Sequence, residues 1–281
     1  MSIRATKRIF HKYTGSVNRK LLLGTSSTFH SLIPSTARMS APSTETARLV
    51  DAKIATQADE YAFKHVHINS PTARPSIDIL NKALENQHAA GLPDIAVSPN
   101  QGKYLQVQAQ IANAKNILEV GTLGGYSTLF LANSSPDARV TTIEYNPEHA
   151  KVARANFEMA GVADRITVLE GAGADILPKV YEEVKQGKLP PFDFTFIDAD
   201  KESNWFYLDL AVKSSRKGAV IIVDNVIRRG GLVDPEMQAE PRVMGSRKVI
   251  ENAGADPRIA CSVLQTVGGK SYDGMMICVK L

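Results

Sequence analysis

Between residues 115 and 223, short apolar runs of β-forming residues alternate with helical segments, and this alternation restricts the fold more than any other feature. The runs are 115–121 (KNILEVG), 139–144 (RVTTIE), 166–170, 192–197 (FDFTFI) and 218–223 (GAVIIV). Helices are expected from the turn after Gly121 through Leu131, over 146–160, from the third run to about Gln186, and over 202–214. Such a succession predicts a doubly wound, Rossmann-like, mostly parallel sheet. A helix over 242–252 follows. Two further runs, 259–267 and 274–281, joined by GGKSYD, read as an antiparallel hairpin, which makes seven strands. Ahead of the sheet, 45–67 and 77–90 read as helices, the second stopped by Gly91. The stretch 92–102 reads as a loop with two prolines that can lie over a site. Residues 45–281 are therefore taken as one domain, with a helical lid or dimer segment at 45–101 and a binding core at 102–281.

The net charge of +4 belongs to the leader. Residues 1–44 hold seven basic side chains and no acid, which leaves 26 basic against 29 acidic residues beyond them. A nucleic-acid surface is not supported. The basic, Ser/Thr-rich leader has the composition of a mitochondrial transit peptide, and Met39 offers a start that would leave the product cytoplasmic. No apolar run approaches the roughly 20 residues of a membrane span. Cys261 and Cys278 are read as buried small hydrophobes.

In a parallel α/β sheet, ligands bind beyond the carboxyl ends of the strands. Here those ends carry Glu119 and Gly121, Glu144, Asp198 and Asp200 with Lys201, and Asp224 with Asn225. Strands do not normally finish in such charge unless something there needs it. Oxygen donors from two strand ends suit a hard divalent cation. The glycine turn 121–127 (GTLGGYS), with Glu144 placed to accept from ribose hydroxyls, suits an adenosine cofactor. The turn is not GxGxxG, and Glu119 fits badly beside a pyrophosphate. An acidic pocket favours a cationic cofactor such as S-adenosyl-L-methionine. An NAD-linked oxidoreductase and a catalytically silent binding protein remain the alternatives.

The segments LEVGTLGGYST, TTIEYNPE, FDFTFIDADK and VDNV, in this order and spacing, resemble the cation-dependent O-methyltransferases, which include the caffeoyl-coenzyme A and catechol enzymes. The likeness spans residues 95–281. It implies the class I methyltransferase fold, with Asp198, Asp224 and Asn225 as ligands of Mg²⁺, or of Mn²⁺ or Ca²⁺. It implies cofactor contacts at Val97, Glu119, Gly121, Thr122, Ser127, Glu144, Gly173 and Asp200, with Lys201 as general base. The implied reaction is methyl transfer to a hydroxyl of a small diol or phenol, by an enzyme expected to be a homodimer. Three departures bear on the acceptor. Arg229 stands where plant members place a substrate-touching asparagine, Asn204-Trp205 stands where tyrosine is usual, and the plant amino-terminal substrate segment has no counterpart.

Overall fold

A computed structural model describes residues 52–268, 270 and 272–281; the expected leader and the Met39 start lie outside the described residues. The first helix, α1 (Ala52–Phe63), runs into a π-helical turn, Lys64–Ile68. Then come α2 (Ile77–Ala89), α3 (Pro99–Ile111), β1 (Asn116–Val120), α4 (Tyr126–Ala132), β2 (Arg139–Glu144), α5 (Pro147–Met159), β3 (Ile166–Glu170) and α6 (Gly173–Lys185). The chain continues through β4 (Phe192–Ile197), α7 (Asn204–Ser214), β5 (Ser215–Val223), α8 (Pro241–Ala255), β6 (Ile259–Val267) and β7 (Tyr272–Lys280). The sheet order is β3-β2-β1-β4-β5-β7-β6. The first five strands are parallel; β7 is antiparallel to both β5 and β6. This is the expected class I methyltransferase sheet with its terminal hairpin.

Both sheet faces are covered, which is why the central strands read as near-continuous apolar runs. Phe194 and Phe196 of β4 pack with Leu105, Leu129, Phe130 and Phe157 on one face. Phe192 and Ile197 pack with Leu177, Tyr207, Leu208 and Val249 on the other. Phe192 changes sides because the β4–β5 register shifts between Phe192 and Phe194. At that shift Asp193 accepts from Lys115 N and Asn116 N at 2.8 Å and from Arg216 Nε at 2.5 Å, tying the entry of β1 to β5. No described helix is long and apolar enough to cross a membrane.

Three expectations are corrected. The loop at 92–102 ends early, because α3 starts at Pro99. Ser98 caps it, and Gln101 returns the bond to the Ser98 amide in a capping box. The helix expected over 202–214 opens as a 3₁₀ turn, Lys201–Ser203. Cys278 is buried, but Cys261, directly opposite it across the hairpin, is exposed.

Candidate active site

The glycine turn joins β1 to α4, and each of three glycines is required by protein rather than by open space. A Cβ on Gly121 (φ +100°) would lie 2.3 Å from the Asp198 carbonyl oxygen. One on Gly124 would strike Gln87, and one on Gly125 (φ +84°) would strike the Phe157 ring. The close approach expected of a ligand is thus made first by the neighbouring chain. Beneath the turn Glu119 is fully buried. Its carboxylate accepts from Ser127 Oγ at 2.7 Å, Thr128 Oγ1 at 2.5 Å and Thr142 Oγ1 at 2.6 Å. Thr122 Oγ1 extends the chain to Thr142 at 2.6 Å. With no exposed surface, the Glu119 side chain braces the turn from behind. Burial pushes its pKa up to about 7 despite those hydroxyls.

Glu144 closes the turn from the other side. It accepts from Thr122 N at 3.1 Å, Leu123 N at 2.7 Å and Asn146 N at 2.9 Å. His149 Nδ1 lies 3.4 Å away. Leu123 holds a left-handed backbone (φ +52°), and its amide bond to Glu144 helps fix that strained geometry. Gly173 opens α6 against the Tyr207 ring, with which a Cβ would make a 3.0 Å contact. The buried Tyr207 hydroxyl donates to Asp200. Gly121, Thr122, Ser127, Glu144, Gly173 and Asp200 thus fall along the rim formed by β1, β2, β3 and β4, as their strand positions require.

On the other side of β4, Asp198 and Asp224 follow paired strands. Asp224 N donates to Ile197 O at 3.0 Å and Asp198 N to Val120 O at 2.8 Å, so both carboxylates leave the sheet at one level. Lys201 is 9% exposed and its Nζ lies 2.5 Å from Asp198 Oδ1. Burial, then the neighbouring Asp198 charge, pushes the Asp224 carboxyl well above the usual carboxylate range. Asn225 turns with φ +57°, and its amide donates to Asp224 Oδ1 at 2.7 Å. Among the described residues no three His, Cys, Asp or Glu side chains cluster as a metal site. The donors that do converge are two carboxylates and one asparagine, an all-oxygen set of the kind hard cations take.

Asp198, Asp224 and Asn225 open into a cavity of about 1080 Å³, together with Val97. Of its other walls, the sequence points to the Arg228-Arg229 turn and to the loop at 92–102. The start of α3 and the end of the hairpin also contribute. The loop before α3 does lie over the site, through residues 94–98. Asp273, in β7, was missed. Its Oδ1 accepts from Ile227 N, Arg228 N and Gly274 N at 2.9–3.1 Å, holding the arginine turn. Gly245 of α8 was missed too: a Cβ there would lie 2.1 Å from the Lys201 carbonyl oxygen. The α3 signal, Ser-Pro-x-Gln across 98–101, was readable. Asp273 and Gly245 act over long sequence separations and leave no local pattern.

Comparison with known proteins identifies the family. The O-methyltransferase family profile matches residues 70–281. The chain is 45% identical over 222 residues to O-methyltransferase imqG of Aspergillus flavus, covering 79% of this chain and 89% of that one. It is 45% identical over 203 residues to a catechol O-methyltransferase of Niastella koreensis, covering 72% and 90%. The structure of the Bacillus cereus O-methyltransferase in complex with SAH superposes with a TM-score of 0.74 at 43% identity, covering 82% of this chain and all of that one.

Proposed function

The chain belongs to the O-methyltransferase family and is an S-adenosylmethionine-dependent enzyme, and on that premise we propose that it methylates one hydroxyl of a vicinal diol, a catechol- or caffeoyl-type phenol, with a divalent cation, Mg²⁺ first and Mn²⁺ or Ca²⁺ next. The observation that carries this reading is the meeting of Asp198, Asp224 and Asn225 in one cavity. Two carboxylates face each other there, one of them driven up by burial and by the other's charge. Such a pair is relieved by a cation. A cation held there would stabilise the acceptor oxyanion and orient both vicinal oxygens.

S-adenosylmethionine supplies an activated methyl group: as the acceptor oxygen bonds to its carbon, the carbon–sulfur bond breaks and sulfur keeps the pair. We assign the cofactor to the rim of Gly121, Thr122, Ser127, Glu144, Gly173 and Asp200, with Val97 on the cavity side. Glu144 already accepts from three amides, so about one of its four lone pairs remains for a ribose hydroxyl. Lys201, buried beside Asp198, is assigned the hydroxyl proton, which it takes as the neutral amine, a form that a cation held by Asp198 would favour. The alternatives of an NAD-linked oxidoreductase and a silent binding protein are not retained.

The test is methyl transfer from labelled cofactor to catechol and to phenol, with and without EDTA. Transfer to catechol that fails with phenol and with EDTA is expected; equal rates on both acceptors in EDTA would overturn the diol and metal assignments. We further propose a homodimer, supported by the exposed apolar Ile95 and Ile111, at 69% and 71%. Light scattering that gives the mass of one chain would remove it. Mitochondrial targeting by residues 1–44 is proposed from composition, and a reporter fused to that segment and remaining cytosolic would count against it.

A further inference from the structure

We infer that the acceptor diol carries an ionised carboxylate, received by Arg228. This inference rests on the diol reading above and names the substrate class of the same cavity.

The argument is a balance of charges in the cavity wall. Each acidic lining residue away from the cation ligands is already engaged. Asp59 Oδ1 accepts from Asn100 Nδ2 at 2.9 Å. Asp94 pairs with Lys270 at 3.0 Å. Glu240 caps α8 through Val243 N at 2.8 Å, and Asp273 accepts its three backbone amides. The arginines of the same wall are not engaged. Among the described residues, the side chains of Arg228, Arg229 and Arg242 make no hydrogen bond or ion pair, and Arg228 Nε is buried without a partner.

Arg228 differs from the other two in being half-buried, whereas Arg229 and Arg242 are exposed. A guanidinium held partly out of water costs free energy unless an acceptor reaches its terminal nitrogens. Its backbone is also fixed in the left-handed region at φ +53°, as is Arg229 at +55°. Non-glycine residues keep that conformation only where the surroundings impose it. Here Asp273 does so, through the amides of Ile227 and Arg228. The turn therefore holds a planar, always-charged fork in the wall of the cavity that also contains Asp198, Asp224 and Asn225. A carboxylate is the group that matches this fork in two parallel bonds. A dihydroxybenzoate or dihydroxycinnamate bears its diol at one end and that group at the other.

The experiment compares 3,4-dihydroxycinnamate with its methyl ester, which keeps the diol and removes the charge. Assays use the full-length enzyme with saturating S-adenosylmethionine and Mg²⁺. The wild type should favour the acid by roughly tenfold to a hundredfold in kcat/KM, the range of one charge-assisted pair. The preference should lie mainly in KM, because the contact is the same before and during transfer. Arg228→Gln should bring the acid-to-ester ratio toward one, and Arg228→Lys should restore part of it. Equal use of acid and ester by the wild type would overturn the inference, and that comparison needs no variant to fold. A ratio unchanged in Arg228→Gln would overturn it as well. Failure of the diol reading is seen separately: no transfer to acid, ester or plain catechol would remove that reading and this inference with it.

Discussion

Glu119 is a carboxyl whose proton is set by burial. Its pKa is raised from 4.5 to about 7, by desolvation first, against three hydroxyl bonds that favour the charged form. The folded value lies above the unfolded one, so the native state binds more proton between those limits. Stability is greatest below the unfolded value and falls as pH rises through the window, by at most roughly 3 kcal/mol. Glu119→Gln should remove this slope, since the surrounding hydroxyls can turn to meet an amide. Urea unfolding at pH 5 and pH 8 checks it; an equal loss in wild type and variant would clear Glu119 as the source. Asp224 leads to a different expectation. Its charge is opposed by burial and by Asp198, so Asp224→Asn should raise stability by about 0.5–2 kcal/mol while methyl transfer collapses. Thermal unfolding beside a turnover assay reads both, and a less stable variant would contradict the electrostatic account. These residues were legible because strand ends advertise their polar groups. What Glu119 and the glycines touch was not, since Gln87, Phe157 and Asp198 reach the turn from distant segments.

At the scale of elements, α8 fixes the Lys201 turn by what it lacks. A Cβ on Gly245 would meet the Lys201 backbone oxygen at 2.1 Å, and a backbone atom cannot swing aside as a flexible side-chain end can. Gly245→Ala gains at most about 1 kcal/mol of helix propensity. Overpacking costs about 1–3 kcal/mol, so the clash wins. The variant should unfold earlier and lose kcat, because Lys201 shifts, while S-adenosylhomocysteine affinity measured by calorimetry holds. Full activity would show that α8 does not position Lys201. The elements themselves were largely readable. Every strand was recognised from its run of β-forming residues, and in the central β1 and β4 burial on both faces leaves no other pattern. The helix α3 was missed because its mixed face, with Gln106 and Gly102 buried beside Leu105, weakens the apolar periodicity. Gly102 is buried there because the Phe130 ring occupies the place of its side chain. The hairpin was found, but its polar burial pattern hid that Cys261 faces outward.

At the scale of the whole molecule, the strand order places β4 and β5 side by side, so the proposed ligand set joins two parallel strands with the antiparallel β7 beyond them. The alternating pattern made a parallel sheet readable; the insertion of β7 between β5 and β6 is a long-range choice that no local run encodes. The same adjacency would make the proposed cation binding a global property. Asp198 and Asp224 converge only when β4 and β5 are paired, so an ion that needs both carboxylates binds the folded chain and not the unfolded one. Mass action then requires the ion to stabilise the fold. At tenfold above its dissociation constant the gain is about 1.4 kcal/mol. For a chain of this size that is a rise of roughly 3–6 °C in Tm. Thermal unfolding of the full chain should therefore move upward with added Mn²⁺ and return with EDTA. In Asp224→Asn the shift should be lost although the variant itself is expected to be more stable. An ion bound at some unrelated surface would stabilise wild type and variant alike, and that result would take the cation away from the ends of β4 and β5.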